Sequence, residues 1–211
     1  MRRFSKIDRV LIQVNDALNT VFSTQLSTRK SPVSDKRESV LVGESQRKSQ
    51  GYMRVNHTGE VCAQALYRGQ LVFAASEKTR QMLEHASMEE TDHLAWTHGR
   101  LQELGTHVSY LNFFWYVNSF ILGMCAAKWG DSWSLGFIEE TERQVSRHLS
   151  THLESLPQED VRSRKIVEQM RVDEEQHGAA AKAAGAVALP AIVKAAMKIQ
   201  SKIMTTITYY F

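Results

Sequence analysis

Two histidines, His93 and His177, carry a glutamate three positions earlier, Glu90 and Glu174, and none of the other six histidines does. On an α-helix, positions i and i+3 share a face, so each pair aims a carboxylate and an imidazole at one point. A lone glutamate stands upstream of each pair: Glu60, thirty residues before Glu90, and Glu142, thirty-two before Glu174. Two antiparallel helices bring such residues to one height only when the turn between them falls near the midpoint. The midpoints are position 75, beside Ser76, and position 158, beside Pro157, where turns are expected in any case. Two helical hairpins can therefore meet with six ligand-type side chains at mid-height, which fixes an all-α architecture.

The residues around these six agree. Val167, Met170, Glu174, His177 and Ala181 step by 3 and 4, as do Leu83, Ala86, Glu90, His93 and Thr97, and Leu135, Ile138, Glu142, Val145 and Leu149. Each set is an apolar helical stripe with a carboxylate in the middle. Burying unpaired carboxylates is costly enough that such positions need a metal or another cation. One Glu from each of two helices plus Glu-x-x-His from each of two others is the ligand set of ferritin-like dinuclear bundles. Four glutamates and two divalent ions leave the site neutral when both imidazoles are uncharged. An oxygen-rich set with two histidines suits iron or manganese, and a redox-inert zinc gains less from it. The chemistry expected is that of a dinuclear metal oxidase or hydroxylase. Asp173 or Asp92 is placed to orient a ligand imidazole, and Tyr67 and His148 are further candidates near the ligands. Glu89, Glu139, Glu140 and Glu175 fall off the shared face and are expected to be solvated or to support the ligands from outside.

In chain order, Lys6 to Phe22 reads as an amphipathic helix, with Ile7, Val10, Leu11, Val14, Leu18 and Val21 at helical spacing. Ser23 to Gln50 reads as a polar linker, so residues 1–50 form a basic appendage and 51–211 the bundle. Helices are expected from Tyr52 to Ala75, Lys78 to Leu104 with Gly105 as stop, Trp133 to Leu156 and Gln158 to Ala184, and a last one opens at Pro190. Val108 to Ala127 is twenty residues without a formal charge. That length would span a bilayer, but Ser109, Asn112, Asn118 and Ser119 dilute it. A bundle of this type needs a long crossover at this point. The expectation is a crossover that also dips into the membrane.

With three prolines, eleven glycines and only Cys62 and Cys125, the chain has no disulfide framework and suits a reducing compartment. No cleavable signal is visible after Met1-Arg2-Arg3. Residues 1–54 hold eleven Lys/Arg against five Asp/Glu, so they carry about +6 and the remainder about −3. Lys194, Lys198 and Lys202 form a stripe beside Ile192, Ile199, Ile203 and Ile207, as in helices that lie on a lipid surface. A peripheral position at the cytoplasmic side of the cell membrane follows, with lipid rather than nucleic acid as the surface bound.

Arg54-Val55-Asn56-His57-Thr58-Gly59-Glu60, Leu66-Tyr67-Arg68-Gly69-Gln70, Glu89-Glu90-Thr91-Asp92-His93-Leu94, Glu139-Glu140-Thr141-Glu142-Arg143-Gln144-Val145 and Asp173-Glu174-Glu175-Gln176-His177-Gly178 closely resemble the demethoxyubiquinone hydroxylase family of ubiquinone biosynthesis. The resemblance runs from about residue 4 to the end, with motifs matching in order and spacing. It implies a membrane-associated di-iron monooxygenase with two Fe per subunit, bound through Glu60, Glu90, His93, Glu142, Glu174 and His177. The implied substrate is a polyprenyl demethoxy-benzoquinol hydroxylated with O2, with NADH a candidate reductant. Other ubiquinone-biosynthesis proteins and a second copy of the chain are candidate partners. Two other classes compete: an iron-storing bundle of ferritin or rubrerythrin type, and a membrane scaffold with a structural metal pair.

Overall fold

The computed structural model describes residues 6–33 and 40–211. The expected basic residues at 1–5, the linker stretch 34–39 and the side chains of Ile7 and Val10 lie outside the described residues. Seven helices make up all the regular structure described: α1 (Lys6–Phe22), α2 (Gly43–Leu71), α3 (Glu77–Glu103), α4 (Asn112–Lys128), α5 (Asp131–Ser155), α6 (Val161–Ala183) and α7 (Ala191–Thr208). The fold is an all-α, ferritin-like four-helix bundle of α2, α3, α5 and α6, with α4 as crossover and α1 and α7 on its flanks.

Cross-helix contacts set the directions. Gln64 Nε2 reaches Ser87 O and Thr91 Oγ1, which makes α2 and α3 an antiparallel hairpin. Its turn is held from both sides: Ser76 Oγ accepts from Thr79 N, and the Asp131 carboxylate accepts from Ala75 N and Ser76 N. Burial raises the Asp131 pKa, but these backbone donors outweigh it and hold it down at about 2. Asp160 caps α6 through Ser163 N while its carboxylate pairs with buried Arg100 of α3. Asn56 Oδ1, midway along α2, meets His152 Nδ1 near the end of α5, and Gln70 Nε2 near the end of α2 donates to Ser134 O near the start of α5, so those helices are antiparallel too.

The crossover α4 runs parallel to α2, with Thr58 Oγ1 on Asn112 Oδ1 at one end and Gly69 against the Phe120 carbonyl further along. The contact is backbone to backbone. A Cβ at Gly69 would sit 2.2 Å from Phe120 O, and one at Gly123 would sit 2.2 Å from Leu66 O. Only glycine allows that approach. At 17 residues α4 is about 25 Å long, and no described helix is long and apolar enough to cross a membrane. It begins at Asn112 rather than near Val108 because Gly105, at φ 67°, ends α3 and residues 105–111 form the connection.

Helix α2 begins at Gly43, nine residues before the expected Tyr52. The early turns lack an apolar stripe, and polar anchors replace it: Gln46 and Gln50 both donate to Leu104 O, and Ser45 Oγ donates to Glu159. The supposed linker boundary at residue 50 thus lies inside a helix. Two apolar layers fill the bundle. Met53, Trp96, Leu101, Leu149, Val167 and Met170 lie at one end, and Ala63, Tyr67, Leu83, Leu135, Ile138 and Ala181 at the other. The six ligand-type residues lie between them.

Gly123→Ala should lower stability by about 1–3 kcal/mol, the usual cost of forcing atoms into a packed contact. Gly99, where an added Cβ meets nothing within 4 Å, is the control. Its alanine variant should be neutral or more stable in urea or thermal unfolding. Equal effects at the two sites would contradict the close α2–α4 approach.

Candidate metal centre

Glu60 stands on α2, Glu90 and His93 on α3, Glu142 on α5, and Glu174 and His177 on α6, all buried. Their potential donor atoms form two groups. In one, Glu60, Glu90, His93 and Glu174 offer atoms within 4.8 Å of one another; in the other, Glu90, Glu142, Glu174 and His177 do. Glu90 and Glu174 belong to both. Each group therefore has one histidine and one glutamate of its own and two glutamates shared with its neighbour.

The imidazoles face the same way in relation to this cluster. His93 Nδ1 lies 3.2 Å from Glu60 Oε2 and 3.3 Å from Glu90 Oε2, and His177 Nδ1 lies 3.1 Å from Glu174 Oε2. Their outer nitrogens meet other carboxylates: His93 Nε2 is 2.9 Å from Asp173 Oδ2, and His177 Nε2 is 2.7 Å from Glu89 Oε2. A carboxylate that takes the Nε2 hydrogen leaves the Nδ1 lone pair free for a metal. Asp173 thus takes the orienting position. Asp92 is instead taken up by the 27–29 stretch, accepting from Ser27, Thr28 and Arg29. Glu89, one residue off the ligand face, takes the supporting one of its two expected places and meets the far side of His177.

Proton occupancy follows from the crowding of charge. Burial, then the Glu90 carboxylate, pushes Glu60 well above the usual range; burial, then Glu174 and Glu90, does the same for Glu142. Burial also opposes ionisation of Glu90, but hydrogen bonds from Glu60, His177 and His93 prevail and keep it low. Burial disfavours the imidazolium at His177, yet hydrogen bonds to Glu174 and Glu90 overcome this and raise it to about 12. His93 is raised well above its ordinary value against the same burial penalty, by Asp173, Glu174, Glu60 and Glu90. The crowding thus favours neutral Glu60 and Glu142 and positively charged imidazoles.

The residues fit a pair of divalent cations. Glu90 Oε1 is buried with no well-formed hydrogen bond, His177 Nδ1 lying 3.4 Å away, and Glu90 is one of the two glutamates common to both groups. The donor set is rich in oxygen, with one imidazole for each position, as hard-to-intermediate ions such as iron or manganese prefer.

The remaining candidates separate. Tyr67 is fully buried and its hydroxyl donates to Glu142 Oε1. Burial first, then Glu142, pushes its pKa well up, so it stays a neutral donor. His148 does not join the cluster. Six positions after Glu142, it points about 240° around α5 and contacts Ser201 Oγ of α7 at 3.0 Å. Sequence reasoning missed Arg29, which reaches Asp92 and Asp173 at 2.9 Å and Glu89 at 3.6 Å from the stretch read as linker. The one signal for such a residue was the surplus of acid around the two Glu-x-x-His pairs.

Two openings flank the site. One cavity, between α2, α4, α5 and α7, is lined by Cys62, Leu66, Trp115, Phe137, Val145 and Met204. Its wall includes Gly59 and Thr141, the chain neighbours of Glu60 and Glu142. The other, between α5 and α6, is lined by Glu142 and Glu174 together with Arg143, Arg147 and Lys182.

Residues 47–208 match the family model described as "Ubiquinone biosynthesis protein COQ7". The chain belongs to the COQ7 family. Among its relatives, a protein of Polynucleobacter asymbioticus named 3-demethoxyubiquinol 3-hydroxylase is 53% identical over 206 residues, 97% of this chain and 99% of the relative. Proteins of the same name from Coxiella burnetii (49% over 209 residues, 99% of this chain and 97% of the relative) and Nitrosomonas eutropha (49% over 204 residues, 97% and 98%) are similar. In this COQ7-family chain the motif around Glu60 docks α2 on several neighbours at once. Arg54 donates to His107 O, Tyr209 O and Thr106 Oγ1, Asn56 meets His152, and Thr58 meets Asn112.

Cations entering the cluster would displace the protons that its groups hold. His177, raised to about 12, holds its proton at neutral pH, and Glu60 and Glu142 are shifted in the direction that favours their protonated forms. Adding ferrous ion to weakly buffered apoprotein should therefore acidify the solution, and affinity should rise with pH. Uptake without proton release would contradict this charge balance.

Proposed function

We propose that this chain is a di-iron monooxygenase that hydroxylates the ring of a polyprenyl demethoxy-benzoquinol with O2 in ubiquinone biosynthesis. The observation that carries the reading is the pair of buried four-residue groups sharing Glu90 and Glu174. One position would be held by Glu60, His93 and the shared pair, the other by Glu142, His177 and the shared pair. Iron bound there would supply O2 activation and the redox change that hydroxylation needs.

The chain's own residues supply position and environment. Asp173 and Glu89 hold the imidazoles with Nδ1 inward. Tyr67 fixes one oxygen of Glu142 and, remaining protonated, keeps that carboxylate aimed at the site. The cavity lined by Leu66, Trp115, Phe137 and Met204 takes an apolar ring and tail to the Glu60–Glu142 side and keeps water away. The quinol form of the substrate is electron-rich, so its ring is the part most open to attack, and a nicotinamide such as NADH is the proposed source of electrons.

The substrate's tail calls for delivery from lipid. Leu11, Val14, Leu18 and Phe22 on α1, Phe113, Phe114, Val117 and Ile121 on α4, and Ile199 and Ile203 on α7 are all exposed. These helices adjoin: Phe22 stacks near Phe113, and Gln200 Nε2 donates to Asn118 Oδ1. With Lys198 and Lys202 beside the isoleucines, the surface suits an anionic bilayer on the cytoplasmic side. The cavity lies beneath α4 and α7, between that surface and the cluster.

Purified protein reconstituted with ferrous ion should hold about two irons per chain, and Glu142→Ala and Glu174→Ala should lose metal. Full occupancy in both variants would refute the assignment of those ligands. Iron-loaded protein given the demethoxy quinol, a reductant and labelled O2 should place one labelled oxygen on the ring, as read by mass spectrometry. Glu90→Ala and His93→Ala should abolish this. Iron mineralisation without product would favour a storage bundle instead.

The protein should also sediment with anionic vesicles and be released by high salt or mild detergent. Replacing Phe113 and Phe114 with serine should weaken that binding. Equal recovery with and without vesicles would exclude the lipid surface.

A further inference from the structure

The stretch Ser27-Thr28-Arg29 lies against α3 beside the metal-side histidine. Asp92 anchors it: Thr28 N donates to Oδ1 at 2.6 Å, Ser27 Oγ to the same oxygen at 3.0 Å, and Arg29 Nε to Oδ2 at 2.9 Å. Trp96 Nε1 donates to Ser27 Oγ at 3.0 Å, and the Arg29 guanidinium lies 4.9 Å over the Trp96 ring. From this seat the rest of the guanidinium reaches inward. Nη2 donates to Asp173 Oδ2 at 2.9 Å, the same oxygen that meets His93 Nε2 at 2.9 Å, and itself lies 3.3 Å from that Nε2. Nη1 lies 3.6 Å from Glu89 Oε1, and Glu89 Oε2 holds His177 Nε2 at 2.7 Å.

One planar fork therefore links the carboxylates behind both imidazoles, which come from different helices, α3 and α6. The anchor on Asp92 is itself buried, and so is Asp173, while Arg29 is about one-third exposed, 34% for its side chain. A lysine could supply the charge but not three directed contacts at once.

We propose that Arg29 is a positioning residue of the metal centre: it fixes Asp173 and Glu89, and through them turns His93 and His177 with Nδ1 toward the cations. This rests on the reading of the cluster as a two-iron site. The direction of the effect separates positioning from simple charge. A guanidinium so close to the site repels cations, so if charge were its whole effect its removal would tighten iron binding. If it positions the histidines, its removal weakens binding, because lost support behind metal-bound histidines typically costs about 10- to 100-fold in affinity.

The test is a chelator competition for ferrous ion on the full chain, comparing wild type with Arg29→Gln, Arg29→Lys and Asp173→Asn, with circular dichroism as a check of fold. Arg29→Gln should bind iron about 10- to 100-fold more weakly, and Arg29→Lys should also fall below wild type despite its retained charge. Combined with Asp173→Asn, Arg29→Gln should add less than its separate effect, since one acts through the other. Mössbauer spectra of the loaded Arg29 variants should differ from those of wild type. Tighter binding in Arg29→Gln, or wild-type affinity and spectrum in Arg29→Lys, would overturn the proposal. If Arg29→Gln does not fold, the lysine variant decides alone. Wild-type protein that takes up no iron would overturn the underlying metal reading, and this one with it.

Discussion

The structure depends on the burial of four carboxylates in the middle of a helical bundle. Taking ions out of water costs several kcal/mol each even after the protein relaxes. Glu60, Glu90, Glu142 and Glu174 nevertheless lie at 0–2% exposure, between two apolar layers. Nothing in the packing of α2, α3, α5 and α6 requires them there. A fold selected for stability alone would place leucine at these heights. Burial and mutual repulsion shift Glu60 and Glu142 toward their neutral forms, and the surrounding carboxylates shift His93 and His177 toward their charged forms, which reduces the cost. Two divalent cations would do the same while leaving the ligands in place.

The surroundings of the cluster follow from that demand. Each ligand histidine needs a fixed tautomer and orientation, and Asp173 and Glu89 supply both. Those acids are charged too, and Arg29 balances them from outside. The helices must also be held at one relative height. Capping at Ser76 and Asp160 sets the hairpin turns, and the motif from Arg54 to Thr58 ties α2 to the chain's far end, to α5 and to α4. With α4 seated on α2 through Gly69 and Gly123, an apolar cavity remains beside Glu60 and Glu142. The buried cluster and the apolar cavity thus share α2.

Much of this was legible in the sequence because helices repeat. The i,i+3 pairs and the turn midpoints at 75 and 158 fixed hairpins whose turns fall at 72–76 and 156–160. Gly105 marked the end of α3 because its φ of 67° suits a residue without a side chain. Local patterns could not reveal contacts made across long separations. Arg29 is 144 residues from Asp173, in a stretch with no periodicity to read. The first turns of α2 were invisible for a related reason: Gln46 and Gln50 hold them by polar bonds to Leu104 O, so no apolar stripe announces the helix. Glu89 sits one residue from Glu90, and its approach to His177 depends on how α3 meets α6. The apolar run 108–127 was ambiguous because lipid and protein neighbours ask for the same residues. Its polar residues Ser109, Asn112, Asn118 and Ser119 spoke for the bundle, while the backbone contact of Gly123 with α2 left no local signal.

The most direct measurement is anomalous diffraction at the iron edge from crystals of iron-loaded protein. Two peaks should appear inside the bundle, one bounded by Glu60 and His93 and the other by Glu142 and His177, with Glu90 and Glu174 lying against both. A single peak, or iron bound only at surface acids such as Glu139 and Glu175, would contradict the account.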